Sequence, residues 1–156
     1  MEPTLPARDL GRSLQYPQDY ASPGVLLGDL SPEQATRTPP GAPYSVAENV
    51  AHMHVWQDYI VRRVRGENPP LPDETADWPE VSPDDWPGLV ADYLTGISDF
   101  QALLIGDADR LSQAYSDDQT NAGRLLNIAL HNAYHLGQIA LLRRQLGLWP
   151  PAGNNE

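Results

Sequence analysis

Three long segments of the chain repeat apolar residues at a helical period, and this pattern restricts the chain to an all-α fold. The first stripe has one polar member and consists of Val46, Val50, Met53, Gln57, Ile60 and Val64. Similar stripes run from Trp86 to Leu104 and from Leu125 to Leu146. Such spacing places side chains on one face of a helix, whereas strand-like alternation is missing throughout the sequence. We therefore expect helices and no strands.

Capping residues mark where these helices begin and end. Ser45 is followed three residues later by Glu48, which is the spacing of a capping box. Ser82 followed by Pro83 suits the start of the second long helix. Thr120 or Asn121 would begin the last helix, which Gly147 would end. The sequence thus contains three helices with defined boundaries.

The remaining segments are shorter or irregular. Weak patterns predict a short helix over residues 6–15, one or two turns over 25–30 and a helix start at Ser31. Residues 66–81 are rich in proline and acids, which predicts a solvated connection that is long enough to join helices that are not antiparallel neighbours. We expect one domain over residues 1–156: a four-helix bundle with short extra N-terminal helical turns and a long crossover connection.

Composition excludes several classes of function. The chain contains no cysteine and no lysine, so zinc–thiolate sites, a protein thiol nucleophile and a Schiff-base lysine are excluded. The net charge of −11 opposes nucleic-acid binding. There is no apolar run of about 18 residues and no signal-peptide pattern at the start. We expect a soluble, cytoplasmic protein with neither nucleic-acid nor membrane partners.

Histidines provide the strongest indication of function. His131 and His135 lie four residues apart in the last helix, where they share one face and can bind one metal ion. A third ligand would come from His52 or His54 in the first long helix. The apolar stripe slightly favours His54, so the helical pattern leaves this choice open. The alternative interpretation is a helix face whose imidazoles meet backbone or water.

Two segments of the sequence resemble a known family. His131-Asn132-Ala133-Tyr134-His135-Leu136-Gly137-Gln138, continuing to Leu-Arg-Arg, resembles the last helix of the DinB/YfiT-like superfamily of proposed metalloenzymes. Residues 45–53 resemble the segment of that family in which one histidine follows a short apolar turn. The resemblance covers most of residues 20–151. It implies a four-helix bundle, with His52, His131 and His135 holding one metal ion.

The resemblance also implies a type of chemistry. The metal would be zinc or nickel, with iron or manganese possible, because imidazoles select metals poorly. It would activate a low-molecular-weight thiol, or water, towards a small electrophile in S-transfer, isomerisation or hydrolysis. A non-catalytic, stress-related metal- or ligand-binding bundle is the alternative. The resemblance and the apolar faces of the short N-terminal elements both predict a homodimer.

Other residues near the histidines have two possible interpretations each. Gln138 shares the face of His135 and is a candidate to orient a bound ligand, although a buried amide would look the same. Glu48 could accept the second N–H of His52, but its capping role explains it as well. Trp56 and Tyr134 are expected in the core.

Overall fold

Helices form nearly all of the regular structure in the computed structural model, which describes residues 21–151. In chain order the elements are α1 (Pro23–Leu27), α2 (Pro32–Thr36), α3 (Val46–Val64), α4 (Glu74–Asp77), a 3-10 turn (Pro83–Asp85), α5 (Trp86–Gly106), α6 (Ala108–Ser112), β1 (Ala114–Ser116), β2 (Gln119–Thr120) and α7 (Asn121–Gln145). The all-α prediction is confirmed. The short helix predicted over residues 6–15 lies outside the described residues.

The capping residues begin and end the helices as predicted. Ser45 and Glu48 form the reciprocal capping box of α3, with N–H···O distances of 2.7 and 3.2 Å. Thr120 caps α7 by accepting the backbone N–H of Gly123. Gly147 follows α7 with a φ of +71°, in the left-handed region that glycine adopts without steric cost. Local sequence therefore determines the boundaries of these helices.

A short antiparallel hairpin contradicts the expectation of a chain without strands. β1 and β2 are three and two residues long and pair Ala114 with Thr120. The residues between the strands, Asp117 and Asp118, are not the Asn-Gly or Asp-Gly pair that identifies a tight hairpin in sequence. Strands this short also contain too few residues to show alternation.

α3 is the central helix and packs against both α5 and α7. Tyr93 on α5 donates a hydrogen bond to the sulfur of Met53, and Asp99, further along α5, pairs with Arg65 near the end of α3. Contacts therefore advance in the same direction along both helices. α3 and α5 are parallel, which explains the long connection between them.

α7 runs in the opposite direction to α3. Asn49, near the start of α3, contacts His135 in the second half of α7. Val64, at the end of α3, clusters with Leu125 near the start of α7. Because these helices face each other along much of their length, side chains from α3 and α7 can meet inside the bundle.

The short helices α1 and α2 complete the core, and Arg143 of α7 holds α1 in place. Its buried guanidinium donates to the backbone oxygens of Leu26 and Leu148, at 2.6 and 2.7 Å, and to the carboxylate of Asp29 at 2.8 Å. A buried arginine with three acceptors holds the N-terminal turns against the end of the last helix. In the described part of the chain, no helix is long and apolar enough to cross a membrane.

Candidate metal centre

His52 on α3 and both histidines of α7 bring their imidazoles together. One ring nitrogen of each residue lies within 4.8 Å of the other two. The Nε2 atoms of His52 and His131 are 3.0 Å apart. His52 and His135 are only 6% and 5% exposed, and His131 is half-buried. The structure thus brings together the three histidines expected at the site.

The short helix α4 provides the partner of His52. The Nδ1 of His52 lies 2.7 Å from the backbone oxygen of Asp77 and 3.1 Å from its carboxylate. The same carboxylate accepts a hydrogen bond from the indole of Trp56. Asp73 begins α4 by accepting two backbone N–H groups. With two oxygens facing Nδ1, the proton of this imidazole belongs there, and Nε2 keeps a free lone pair.

A buried asparagine holds His135 in the same tautomer. The Oδ1 of Asn49 lies 3.2 Å from Nδ1 of His135. The amide nitrogen of Asn49 donates to the backbone oxygen of Ser45 at 2.8 Å. Since that bond fixes the amide orientation, Asn49 presents its oxygen to the ring and accepts the Nδ1–H.

A chain of buried amides supports His131. The Oδ1 of Asn132 is 3.3 Å from Nδ1 of His131, and its amide nitrogen donates to Gln57 at 2.9 Å. Gln57 in turn donates to the backbone oxygen of Tyr93 on α5 at 3.3 Å. The donors and acceptors along this chain again make Nδ1 of His131 the protonated nitrogen.

One ring nitrogen from each of the three histidines is placed to bind a single divalent metal ion. The Nε2 atoms of His52 and His131 are 3.0 Å apart, so their lone pairs repel each other unless a proton or cation lies between them. Nitrogens bound to a tetrahedral zinc ion, with bonds of about 2.0–2.1 Å, lie roughly 3.3 Å apart. The observed separations, from 3.0 Å up to at most 4.8 Å, include that value. This three-histidine group could therefore hold a metal ion.

Burial keeps two of the imidazoles in the neutral form that binds metals. Desolvation, followed by the neighbouring His131 and His52, lowers the pKa of His135 to about 4. Desolvation is also the main cause that lowers the pKa of His131. Since a metal binds the neutral imidazole, this environment favours coordination near neutral pH.

Stacked rings cover one side of the cluster. The indole of Trp78 lies parallel to the ring of His52, with centroids 4.0 Å apart. Tyr44 stacks on Trp78 with centroids 3.7 Å apart. The stack fixes the plane of His52 and limits access of water from that side.

A pocket of about 450 Å³ opens beside His135. Gln138 lies in its wall and hydrogen-bonds the imidazole of His135. Tyr134 also lines the pocket and is 65% exposed, so its predicted place in the core is wrong. Trp56 is half-buried and contacts Asp77 rather than lying fully in the core.

The helical pattern slightly favoured His54 as the third ligand, but His54 lies outside the histidine cluster. It lines a separate groove with Asp58, Asp92 and Asp99. Its Nδ1 has no hydrogen-bond partner among the residues that the structure describes. A two-residue step along a helix turns a side chain by about 200°, which explains why only one of the two histidines faces α7.

Several residues of the site were not predicted. Asp77 and Trp78 belong to the acidic connection that was expected to be solvated, and Asn49 was not proposed as a partner. Glu48, which the sequence suggested as an acceptor for the second N–H of His52, caps α3 instead. Asp77 accepts from His52. The N-cap pattern at Asp73 would have indicated a helix in the connection. No comparable pattern in the sequence predicts that Asp77 lies close to His52.

Fold and site together define an all-α protein with a candidate metal centre of three histidines on two antiparallel helices. A family model described as the DinB superfamily matches residues 25–139, a span that contains all three histidines. The chain therefore belongs to the DinB superfamily. No curated protein sequence matches it.

Proposed function

We propose that this protein is a divalent-metal-dependent enzyme that acts on a small electrophilic substrate. His52, His131 and His135 would be the metal ligands. The supporting observation is that one ring nitrogen from each histidine lies within 4.8 Å of the other two, while an oxygen contacts each Nδ1. Zinc or nickel is expected first, and iron or manganese would also suit three imidazoles.

Three protein ligands leave room for a further one, which is typical of catalytic rather than structural zinc sites. A bound divalent ion would lower the pKa of a coordinated thiol or water and so supply a nucleophile at neutral pH. Because the chain has no cysteine, a low-molecular-weight thiol would come from solution. S-transfer and isomerisation are the reactions that we propose first, followed by hydrolysis.

The residues around the histidines have distinct tasks in this proposal. Asp77 and Asn49 hold their imidazoles in one tautomer and orientation. The stack of Tyr44 on Trp78 keeps water from one side of His52. The pocket beside His135 admits the substrate, and Gln138 in its wall offers an amide to orient it.

Metal content of purified protein tests the site. We expect about one divalent ion per chain in the wild type, and loss of that ion in His52→Ala and His135→Ala. His54→Ala is the matched control, because it removes an imidazole from the same helix outside the cluster. A wild type without metal after reconstitution, or full metal content in His135→Ala, would contradict the proposal.

Cobalt substitution separates a catalytic from a structural ion. Added benzyl mercaptan should produce a sulfur-to-cobalt charge-transfer band if a coordination position is open. Consumption of the thiol with an activated aryl halide should then require the metal and fall to background in His135→Ala. An unchanged cobalt spectrum and no turnover with a panel of thiols and electrophiles would favour the non-catalytic metal-binding bundle.

A further inference from the structure

Among the residues that the structure describes, the wall of the pocket beside His135 contains no acidic residue and no arginine. Its rings are Tyr44, Trp78 and Tyr134, and its other polar side chains are the amides of Asn49, Gln138 and Gln145. A ligand in this pocket therefore meets rings, leucines and amides.

We infer that this pocket binds an uncharged ligand with a flat, largely apolar body and selects against anions. The inference rests on the proposed function, because it places the reactive end of the ligand towards His135. It specifies the class of thiol or electrophile: an aryl or alkyl body without a carboxylate.

Among the residues that the structure describes, no cationic side chain lines the pocket to receive a carboxylate. Arg143 is buried and already donates to Leu26, Asp29 and Leu148. Arg144 lines a different cavity, with Trp149. Burying an unpaired carboxylate is strongly unfavourable, and the net charge of −11 adds long-range repulsion.

A cationic ligand is also disfavoured, despite the three rings. A cation binds to the open face of an aromatic ring. Trp78 stacks on both Tyr44 and His52, so neither of its faces is open to a cation, and no carboxylate lines the pocket among the described residues. Tyr134 contacts His135 edge to face, at a centroid distance of 5.2 Å.

Amide side chains in the pocket wall can form hydrogen bonds with the ligand. Both ends of the Asn49 side chain are engaged, by Ser45 and His135. Gln138 and Gln145 lie seven residues apart on α7, so they face the same side of the helix. Their amides suit a carbonyl, hydroxyl or ether oxygen on the ligand.

A panel of matched ligands tests the selectivity. Benzyl mercaptan, 4-(mercaptomethyl)benzoate and 4-(mercaptomethyl)benzylamine share one body and differ in charge. Titration calorimetry at pH 7 should give at least roughly tenfold tighter binding for the neutral thiol than for either charged one. Equal affinities, or tighter binding of the benzoate or the amine, would overturn the inference.

A charge added at the pocket wall checks where the ligands bind. Leu141 lines the pocket and is 55% exposed, so Leu141→Arg is compatible with folding. It should strengthen benzoate binding a few-fold, as expected for an exposed ion pair. Leu130→Arg is the control, because Leu130 is 61% exposed on the same helix outside the pocket lining. The same effect from both variants, or none from Leu141→Arg, would contradict the inference.

Measurements on metal-free protein distinguish this inference from the proposed function. The aromatic body contacts the pocket without the ion, so the ranking by charge should persist, with weaker binding overall. If the protein held no metal but kept the ranking, the proposed function alone would fail. If it held metal but bound the benzoate best, the pocket inference alone would fail.

Discussion

The two histidines of α3 lie two residues apart, yet they face very different surroundings. His52 lies 6% exposed in a cluster of imidazoles, with an acceptor for its Nδ1 and a stacked indole on its ring. His54 lines a groove with three aspartates and has no hydrogen-bond partner for Nδ1 within the described part of the chain. Both faces combine histidine with acidic groups, but only one brings ring nitrogens together.

The difference shows what distinguishes a candidate metal site from a polar surface. At the His52 face, every Nδ1 has an oxygen partner, and one ring nitrogen of each histidine lies close to the other two. At the His54 face, the carboxylates of Asp58 and Asp99 pair with arginines instead, Arg62 and Arg65. Preorganised orientation, rather than the number of polar groups, favours metal binding.

Among these experiments, removing one histidine from each face should produce the largest difference in bound metal. We expect His135→Ala to lose essentially all bound metal, because two remaining imidazoles seldom hold a divalent ion in a buried site. His54→Ala should keep about one ion per chain. Elemental analysis of both variants measures this, and equal metal content would refute the contrast between the faces.

Asp77→Ala should weaken metal binding without removing it. The variant removes the carboxylate 3.1 Å from Nδ1 of His52 but keeps the backbone oxygen at 2.7 Å, so we expect a loss of roughly tenfold in affinity, the low end of the usual range for such a partner. Competition with a chromophoric chelator would measure the change. Asp92→Ala removes a carboxylate from the His54 groove and should leave the affinity unchanged. A weaker effect from Asp77→Ala than from Asp92→Ala would show that α4 does not support the site.

Gln57→Leu should destabilise the fold as well as the site. Gln57 is 2% exposed and joins Asn132 to the backbone of Tyr93, so its loss leaves buried polar groups unpaired. We expect a loss of about 1–3 kcal/mol in the free energy of unfolding. Asp58→Asn, at the next residue but exposed, should change it by less than about 0.5 kcal/mol. Denaturant unfolding of metal-free protein gives both values, and similar losses would argue against the amide chain.

Acid should destabilise the metal-free protein partly through His135. Its folded pKa, about 4, is below the ordinary value of 6.5, so the folded state binds fewer protons than the unfolded state between these values. Stability from this group is complete above about pH 6.5 and is lost as the pH falls towards 4. Thermal unfolding from pH 7 to pH 4 should show a smaller decrease for His135→Gln than for wild type. A decrease of the same size would exclude this contribution.

Much of the fold was predictable, because it depends on local chemistry. The stripe from Val46 to Val64 and the box of Ser45 with Glu48 predicted α3, and Thr120 and Gly147 marked the boundaries of α7. The β1–β2 hairpin was not predictable, because its turn lacks a typical hairpin residue pair and its strands are too short to show alternation of polar and apolar residues. Arg143 was not expected in the core, since helix ends normally leave arginine in water.

The candidate site was predictable only in part. The spacing of His131 and His135 follows from helix geometry alone, and the choice of His52 required resemblance to a family. Asp77 lies 25 residues from His52, and nothing local relates the two. Its place depends on how the connection between two parallel helices folds back over the bundle.

The sequence by itself determined which residues form helices and that two imidazoles share one helix face, because period, caps and i,i+4 spacing are properties of neighbouring residues. Only the tertiary structure decided which histidine of α3 meets them and which oxygens hold each ring. It also decided that a pocket lined by aromatic rings, leucines and amides opens beside His135. These features depend on contacts between residues far apart in sequence, and such contacts are set by the packing of whole helices.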